Sequence, residues 1–311
     1  GAGHGSTMED AEGHLWHTST MRICKNHNFE RRIGLWSAGY DADGELFCNQ
    51  RYGDWPQAVS GDKQDPWKNP EWMLLSYGKN ATASSAEEGK GADKVTEENV
   101  RTWWRAASEK PGEWVQVDLG ETMDVHAIQV NFADDKIEIP TPGELRGNQT
   151  GKRYIEERDL ITRWTLEGSV DGKDYFMTTT LPHDLVVRED GMQVRFLKLT
   201  VLEVPYDQKA CISGLRVFGK GNGQAPKTPT FAAKREADRR YMKVTIESPS
   251  DDVVGYNIFW GHKADKLYHS YMVFGVTEKE IKALVTTQDY FVRVDAFNEN
   301  GITEGQVIAL A

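Results

Sequence analysis

Three cysteines, Cys24, Cys48 and Cys211, are the chain's candidate thiol chemistry. None stands in CxxC spacing, which argues against a zinc site. An odd number of scattered thiols argues against a disulfide scaffold, so free buried thiols are expected, although Cys24 and Cys48 could face each other on neighbouring strands. The carboxylates Glu9, Asp10 and Asp54 near the start sit in no motif that assigns acid or base work, and no catalytic residue is assigned. Ten Trp and eleven Tyr suggest a different chemistry. A pyranose offers an apolar face of C–H groups to an aromatic ring, and its hydroxyls need polar partners.

Charge narrows the partners. The formal net charge of −11 repels phosphate backbones, which disfavours nucleic acid. The basic residues Lys234, Arg235, Arg239 and Arg240 are interrupted by Glu236 and Asp238 and read as a solvated face. No apolar run is long enough to span a membrane. The opening GAGHGSTMEDAEGH has neither the basic region nor the apolar core of a secretory signal, so compartment is not read from it directly.

The elements that would position these groups are strands. Helical periodicity is nearly absent, and short alternating runs are separated by Gly, Asp, Asn and Pro turns. In EWVQVDL, alternation sends Trp114, Gln116 and Asp118 to one face and Val115, Val117 and Leu119 to the other. An all-β chain is expected. The polar stretch 61–72 and the Gly/Pro-rich stretch 220–225 read as linkers, dividing the chain into 1–60, 73–219 and 226–311. A long polar insertion covers 133–161, a length that is usually functional or disordered.

The last segment, with GYNIFWG (255–261) and YFVRVDAFNENGITEG (290–305), resembles a fibronectin type III domain, a seven-stranded β-sandwich. The resemblance implies that the hydroxyl of Tyr290 ties a sandwich corner to backbone, and that the domain is a spacer or docking unit.

In the middle segment, GKNATASSAEEGKGADKVTEENVRTWWRA (78–106), GEWVQVDLGETMDVHAIQVNF (112–132), TLEGSVDGKDYFM (165–177), VRFLKLTV (194–201) and ISGLRVFG (212–219) follow in order. They resemble the discoidin, or coagulation factor 5/8 C-terminal, domain. This is a jelly-roll β-sandwich whose fold is shared with family 32 carbohydrate-binding modules. The resemblance implies a shallow sugar site in loops at one end, with Trp103 and Tyr154 as candidate stacking residues and Trp104 as core. It also implies a structural calcium beside the early loop, with Glu97 and Thr102 as candidate ligands and Asp93 farther out. The run departs from the family's Asp-Gly-Asn pattern: Glu97 stands for the Asp, Glu98 for the Gly, and Gly214 for a late carboxylate.

The first 60 residues read as four strands of one antiparallel sheet, the size of a propeller blade. GAGHGSTMEDAEGHLWHTSTMRI and FERRIGLWSAGYDADGELFCNQRYGDWPQ resemble the last part of a family 43 glycoside hydrolase, a five-bladed β-propeller acting on arabinose- and xylose-containing polysaccharides. The resemblance implies that His4 sits near the propeller axis beside a metal or water cluster, and that Arg31 points into the sugar pocket. The acid, the base and the Asp that tunes the acid all belong to earlier blades. A lone blade cannot bury its faces. The remaining blades are therefore expected on the same or another chain, unless the blade packs on the middle module.

The expected whole is the C-terminal portion of a secreted or periplasmic bacterial glycoside hydrolase. It would be inverting and arabinofuranosidase- or xylosidase-like, with oligo- or polysaccharide as partner. The rival is a non-catalytic carbohydrate-binding or adhesion protein.

Overall fold

The computed structural model describes residues 3–22, 31–53, 55–57, 65–136, 161–179 and 184–310. It is all-β, and no helix among these residues is long and apolar enough to cross a membrane. Cys24, Asp54 and Tyr154, with most of the insertion, lie outside the described residues.

The first unit is the expected antiparallel meander of β1 (Gly3–Glu9), β2 (Leu15–Arg22), β3 (Arg31–Tyr40) and β4 (Leu46–Cys48), paired in that order. Asp10 explains the first turn. Its carboxylate accepts from the backbone of Glu12 and His14 and from Trp16 Nε1 at 2.8 Å, and it lies 2.9 Å from His14 Nδ1. A carboxylate this heavily engaged is structural.

The second unit comprises β5 (Met73–Leu74), β6 (Asn80–Ala83), β7 (Trp104–Arg105), β8 (Glu113–Phe132), β9 (Arg163–Ser169), β10 (Phe176–Met177), β11 (Leu185–Glu203) and β12 (Cys211–Lys220). The long strands β8 and β11 each serve both layers of a sandwich. The first half of β8 pairs with β6 and with the second half of β11, which also pairs with β9. The second half of β8 pairs with β12 and with the start of β11. Alternation sets the faces as expected: Val115, Val117 and Leu119 are fully buried, while Trp114, Gln116 and Asp118 are half-exposed. The core between the layers is aliphatic around Trp104.

The third unit is a second sandwich. One layer is β13 (Thr230–Arg235), β14 (Met242–Glu247) and β17 (Glu278–Ile281). The other is β15 (Gly255–Gly261), β16 (His269–Phe274), β18 (Phe291–Asn298), β19 (Gly301–Thr303) and β20 (Ile308–Ala309). The expected seventh strand is split. β19 and β20 both pair with β18 but are interrupted at residues 304–307, where Gly305 N donates to the buried Asp295.

Tyr290 is buried, and its hydroxyl accepts from Val285 N at 3.1 Å. Tyr290→Phe strands that amide and is expected to cost about 1–3 kcal/mol, read as a lower denaturation midpoint with an unchanged slope. An unchanged midpoint would show that the tie is idle.

The basic cluster needs correcting. Lys234, Arg239 and Arg240 are exposed, but Arg235 is buried. Its guanidinium donates to the carbonyls of Arg239, Val285 and Gln288. A side chain with five donors can close a loop from inside, and charge spacing alone cannot reveal that.

The first sheet does not stand alone, and its main support is the third unit. Phe47, Trp67 and Tyr268 form a near-parallel trio with centroids 4.3 to 5.6 Å apart. Lys266 meets Asp41, Asp43 and Glu45 at 2.9, 2.6 and 2.7 Å. The second unit joins through one aromatic knot, in which Trp55 packs on Phe218 and Phe297 with centroids 5.8 and 5.6 Å away. Part of the stretch read as a linker is therefore packed, since Trp67 and Trp72 are both ring-stacked.

Candidate functional site

Two places gather chemistry-bearing side chains. The first is the loop end of the middle sandwich. A short 3-10 turn over Ala92–Thr96 delivers the run Glu97 to Trp103. Trp104 is fully buried core, as expected, and its Nε1 donates to Ser85 O at 2.8 Å. Trp103 is only 6% exposed. Its Nε1 donates to Asp135 Oδ2 at 3.0 Å, and Lys90 Nζ lies 3.7 Å from its ring centroid. So little exposed, it presents no ring face to a sugar and instead anchors the base of the insertion.

Arg105 and Glu87 extend this cluster. Arg105 Nη1 lies 2.5 Å and Lys209 Nζ 2.7 Å from Glu87 Oε1. Hydrogen bonds from Lys209 and Arg105 hold the Glu87 carboxyl down to about 2. Burial pushes the neighbouring Cys211 thiol up to about 12, so it is inert, and both described cysteines, Cys48 and Cys211, are free.

Beside this cluster the early loop is closed by ion pairs. Lys94 Nζ stands 2.7 Å from Asp93 Oδ2 and 2.6 Å from Glu97 Oε1. The Thr102 hydroxyl donates to Glu97 Oε2 at 2.9 Å. Arg216, from β12, grips Glu98 with Nε and Nη2 at 2.9 and 3.0 Å, and donates from Nη1 to Gln129 on β8 at 2.5 Å. Glu98 has φ +53°, the left-handed region that suits glycine. A side chain there costs about 1 kcal/mol, and the paired guanidinium offsets it.

Residues 80–217 match the F5/8 type C domain family. This stretch is an F5/8 type C domain. No curated protein matches the chain in sequence. Among solved structures, chitosan-binding module 1 of a chitosanase/glucanase from Paenibacillus sp. IK-5 is 16% identical over 47% of this chain and 99% of its own, with a TM-score of 0.35. A family 89 glycoside hydrolase from Clostridium perfringens is 18% identical over 49% of this chain, with a TM-score of 0.34, and the match spans only 15% of that enzyme. A fucose-binding module from Streptococcus pneumoniae is 9% identical over 48% of this chain and 99% of its own, with a TM-score of 0.34. Identities and scores this low fix no functional detail.

The F5/8 type C domain does not fit the calcium that its resemblance implied. Calcium takes six to eight oxygens. Here the carboxylates of Asp93 and Glu97 already face an ammonium, and both oxygens of Glu98 face a guanidinium. Gly214, opposite Asn131 on β8, brings no carboxylate. The other two carried-over residues are in the first sheet. His4 is exposed on β1 at a register shift, with φ +54°. Arg31 begins β3, and its side chain lies outside the described residues.

The second place is a shallow cleft that the sequence did not announce. It runs between the first sheet and residues 65–72, next to the F5/8 type C domain. Trp72 and Pro70 give it apolar wall over the buried Trp55, and Asn49, Gln57, Asn69 and Glu71 give it amides and carboxylate. Gln57 accepts from the Ser37 hydroxyl at 3.1 Å, and Asn49 donates to Pro66 O at 2.8 Å. Its lining comes from three stretches separated in sequence, so no local motif signals it.

Proposed function

We propose that this chain binds neutral oligosaccharide, as the accessory part of a glycoside hydrolase. The cleft beside the F5/8 type C domain carries the reading. Its wall pairs aromatic and proline surface with planar amides and a carboxylate, the mixture that a sugar's apolar face and hydroxyl rim require.

The finer reading assigns the first sheet to the last blade of a family 43-like propeller and the last sandwich to the fibronectin type III type. Met8, Leu35 and Ile33 support the former. They share one face of the meander by register and are 54, 39 and 80% exposed. Neighbouring blades would cover them. The Tyr290 tie supports the latter. This reading goes with a secreted or periplasmic bacterial setting, where polysaccharide is met.

Calorimetric titration of the full chain with xylo-, arabino- and chito-oligosaccharides tests the proposal. One series should bind, and Gln57→Ala with Asn69→Ala should weaken it about tenfold or more while leaving the melting temperature in place. Failure of every series to bind sinks the reading, as does binding indifferent to the double variant.

A further inference from the structure

We infer that the F5/8 type C domain of this chain is closed by its own side-chain cations and folds without calcium. This is independent of what the cleft binds. A cation in this region would have one mechanical task, to tie the early loop to the end of the domain. Here the Glu98–Arg216 pair makes that tie. It joins a loop residue to β12 across 118 positions of sequence, with both side chains almost wholly buried (11 and 6% exposed). Gln129 holds the guanidinium's third arm from β8, and the Phe218 ring lies under it at 5.0 Å. The clamp thus ties the early loop to two paired strands of one layer, β8 and β12.

Two sequence changes make sense only together. Glu98 occupies a backbone position whose φ of +53° favours glycine, and its paired carboxylate offsets that strain. Gly214 stands two residues before Arg216 on the same strand, at the place where the resemblance expects an acid. Here the negative charge sits in the loop at Glu98 and the positive charge on the final strand at Arg216. Lys94 completes the exchange, since its ammonium lies between Asp93 and Glu97, the carboxylates a divalent ion would draw on first. A lysine and an arginine fixed by the chain replace a ligand that must be captured from solution.

Thermal melts of the full chain provide the test. In 5 mM EGTA and in 5 mM CaCl2 the melting temperatures should agree within about 1 °C, because a ligand raises the midpoint only by binding the folded state. Arg216→Met should lower the midpoint by roughly 5–10 °C, with no recovery in CaCl2. If that variant fails to fold, the Glu98 pair decides. Glu98→Ala loses the clamp and keeps the strained backbone, whereas Glu98→Gly loses the clamp and relieves the strain. Glu98→Ala should therefore melt lower than Glu98→Gly, and both below the parent. A saturable calcium-dependent rise of several degrees in the parent, abolished by Glu97→Gln, would overturn the inference. So would a parent-like midpoint for Arg216→Met or for Glu98→Ala.

Discussion

Trp55→Ala is expected to uncouple the three units of this chain. Trp55 is 3% exposed and packs on Tyr52, Phe218 and Phe297, one ring from each unit. Truncating a buried tryptophan costs about 3–5 kcal/mol through lost transfer energy and the cavity left behind. The cost should not spread evenly. Trp16, Trp36 and Phe47 are buried in the first sheet, yet they form no cluster of their own comparable to the cores of the two sandwiches. A single sheet has one layer and nothing to close against. Its stability is borrowed through Trp55 and the Phe47–Trp67–Tyr268 trio. Scanning calorimetry of the variant should show an early transition that the parent lacks, and limited proteolysis should cut within residues 3–57 first. One unshifted transition would show that the knot is not the coupling.

The second large effect is expected from Arg293→Met. Asp295 is 1% exposed at the heart of the last sandwich, with Arg293 Nε 2.9 Å from its Oδ1 and Nη2 2.9 Å from its Oδ2. Removing one partner of a buried pair leaves the other charge uncompensated, at a cost of about 3–5 kcal/mol. Even in the parent, burial pushes the Asp295 carboxyl up to about 6, with Arg293 acting in the opposite direction. Arg51, Tyr52 and Glu304 complete its surroundings. A carboxyl raised in the folded state favours folding most fully below its ordinary value, and that contribution is lost as pH rises through about 6. The parent should therefore gain stability from pH 8 to pH 5. Arg293→Met should show its full deficit at pH 8 and recover part of it at pH 5, where the buried carboxyl takes up a proton. Glu87, held at about 2, stays ionised across this window and does not confuse the result. A deficit equal at both pH values would refute the account.

Strand alternation and turn residues were sufficient to read the all-β architecture, the four-stranded meander and the faces of β8. Alternation is local and records burial directly. The middle module's ordered motifs were likewise legible, because each sits within one strand or turn. The early loop was legible as a place but not as chemistry. Glu97 and Thr102 were the right neighbours, yet their partners are Lys94 and each other, and Glu98 reaches Arg216 from 118 positions away. Nothing in spacing signals such a pairing. Trp103 looked like a sugar platform because ring type is visible in sequence and exposure is not.

The antiparallel meander of the first unit and the free thiols of Cys48 and Cys211 thus follow from residue types read along the chain. The Trp55 knot, the inward turn of Arg235, the clamp on Glu98 and the cleft beside residues 65–72 belong to the tertiary structure alone. Local periodicity tells a side chain which face to take. Which distant side chain it meets there depends on how separate layers dock, and that is settled by packing and charge pairing between segments that share no sequence neighbourhood.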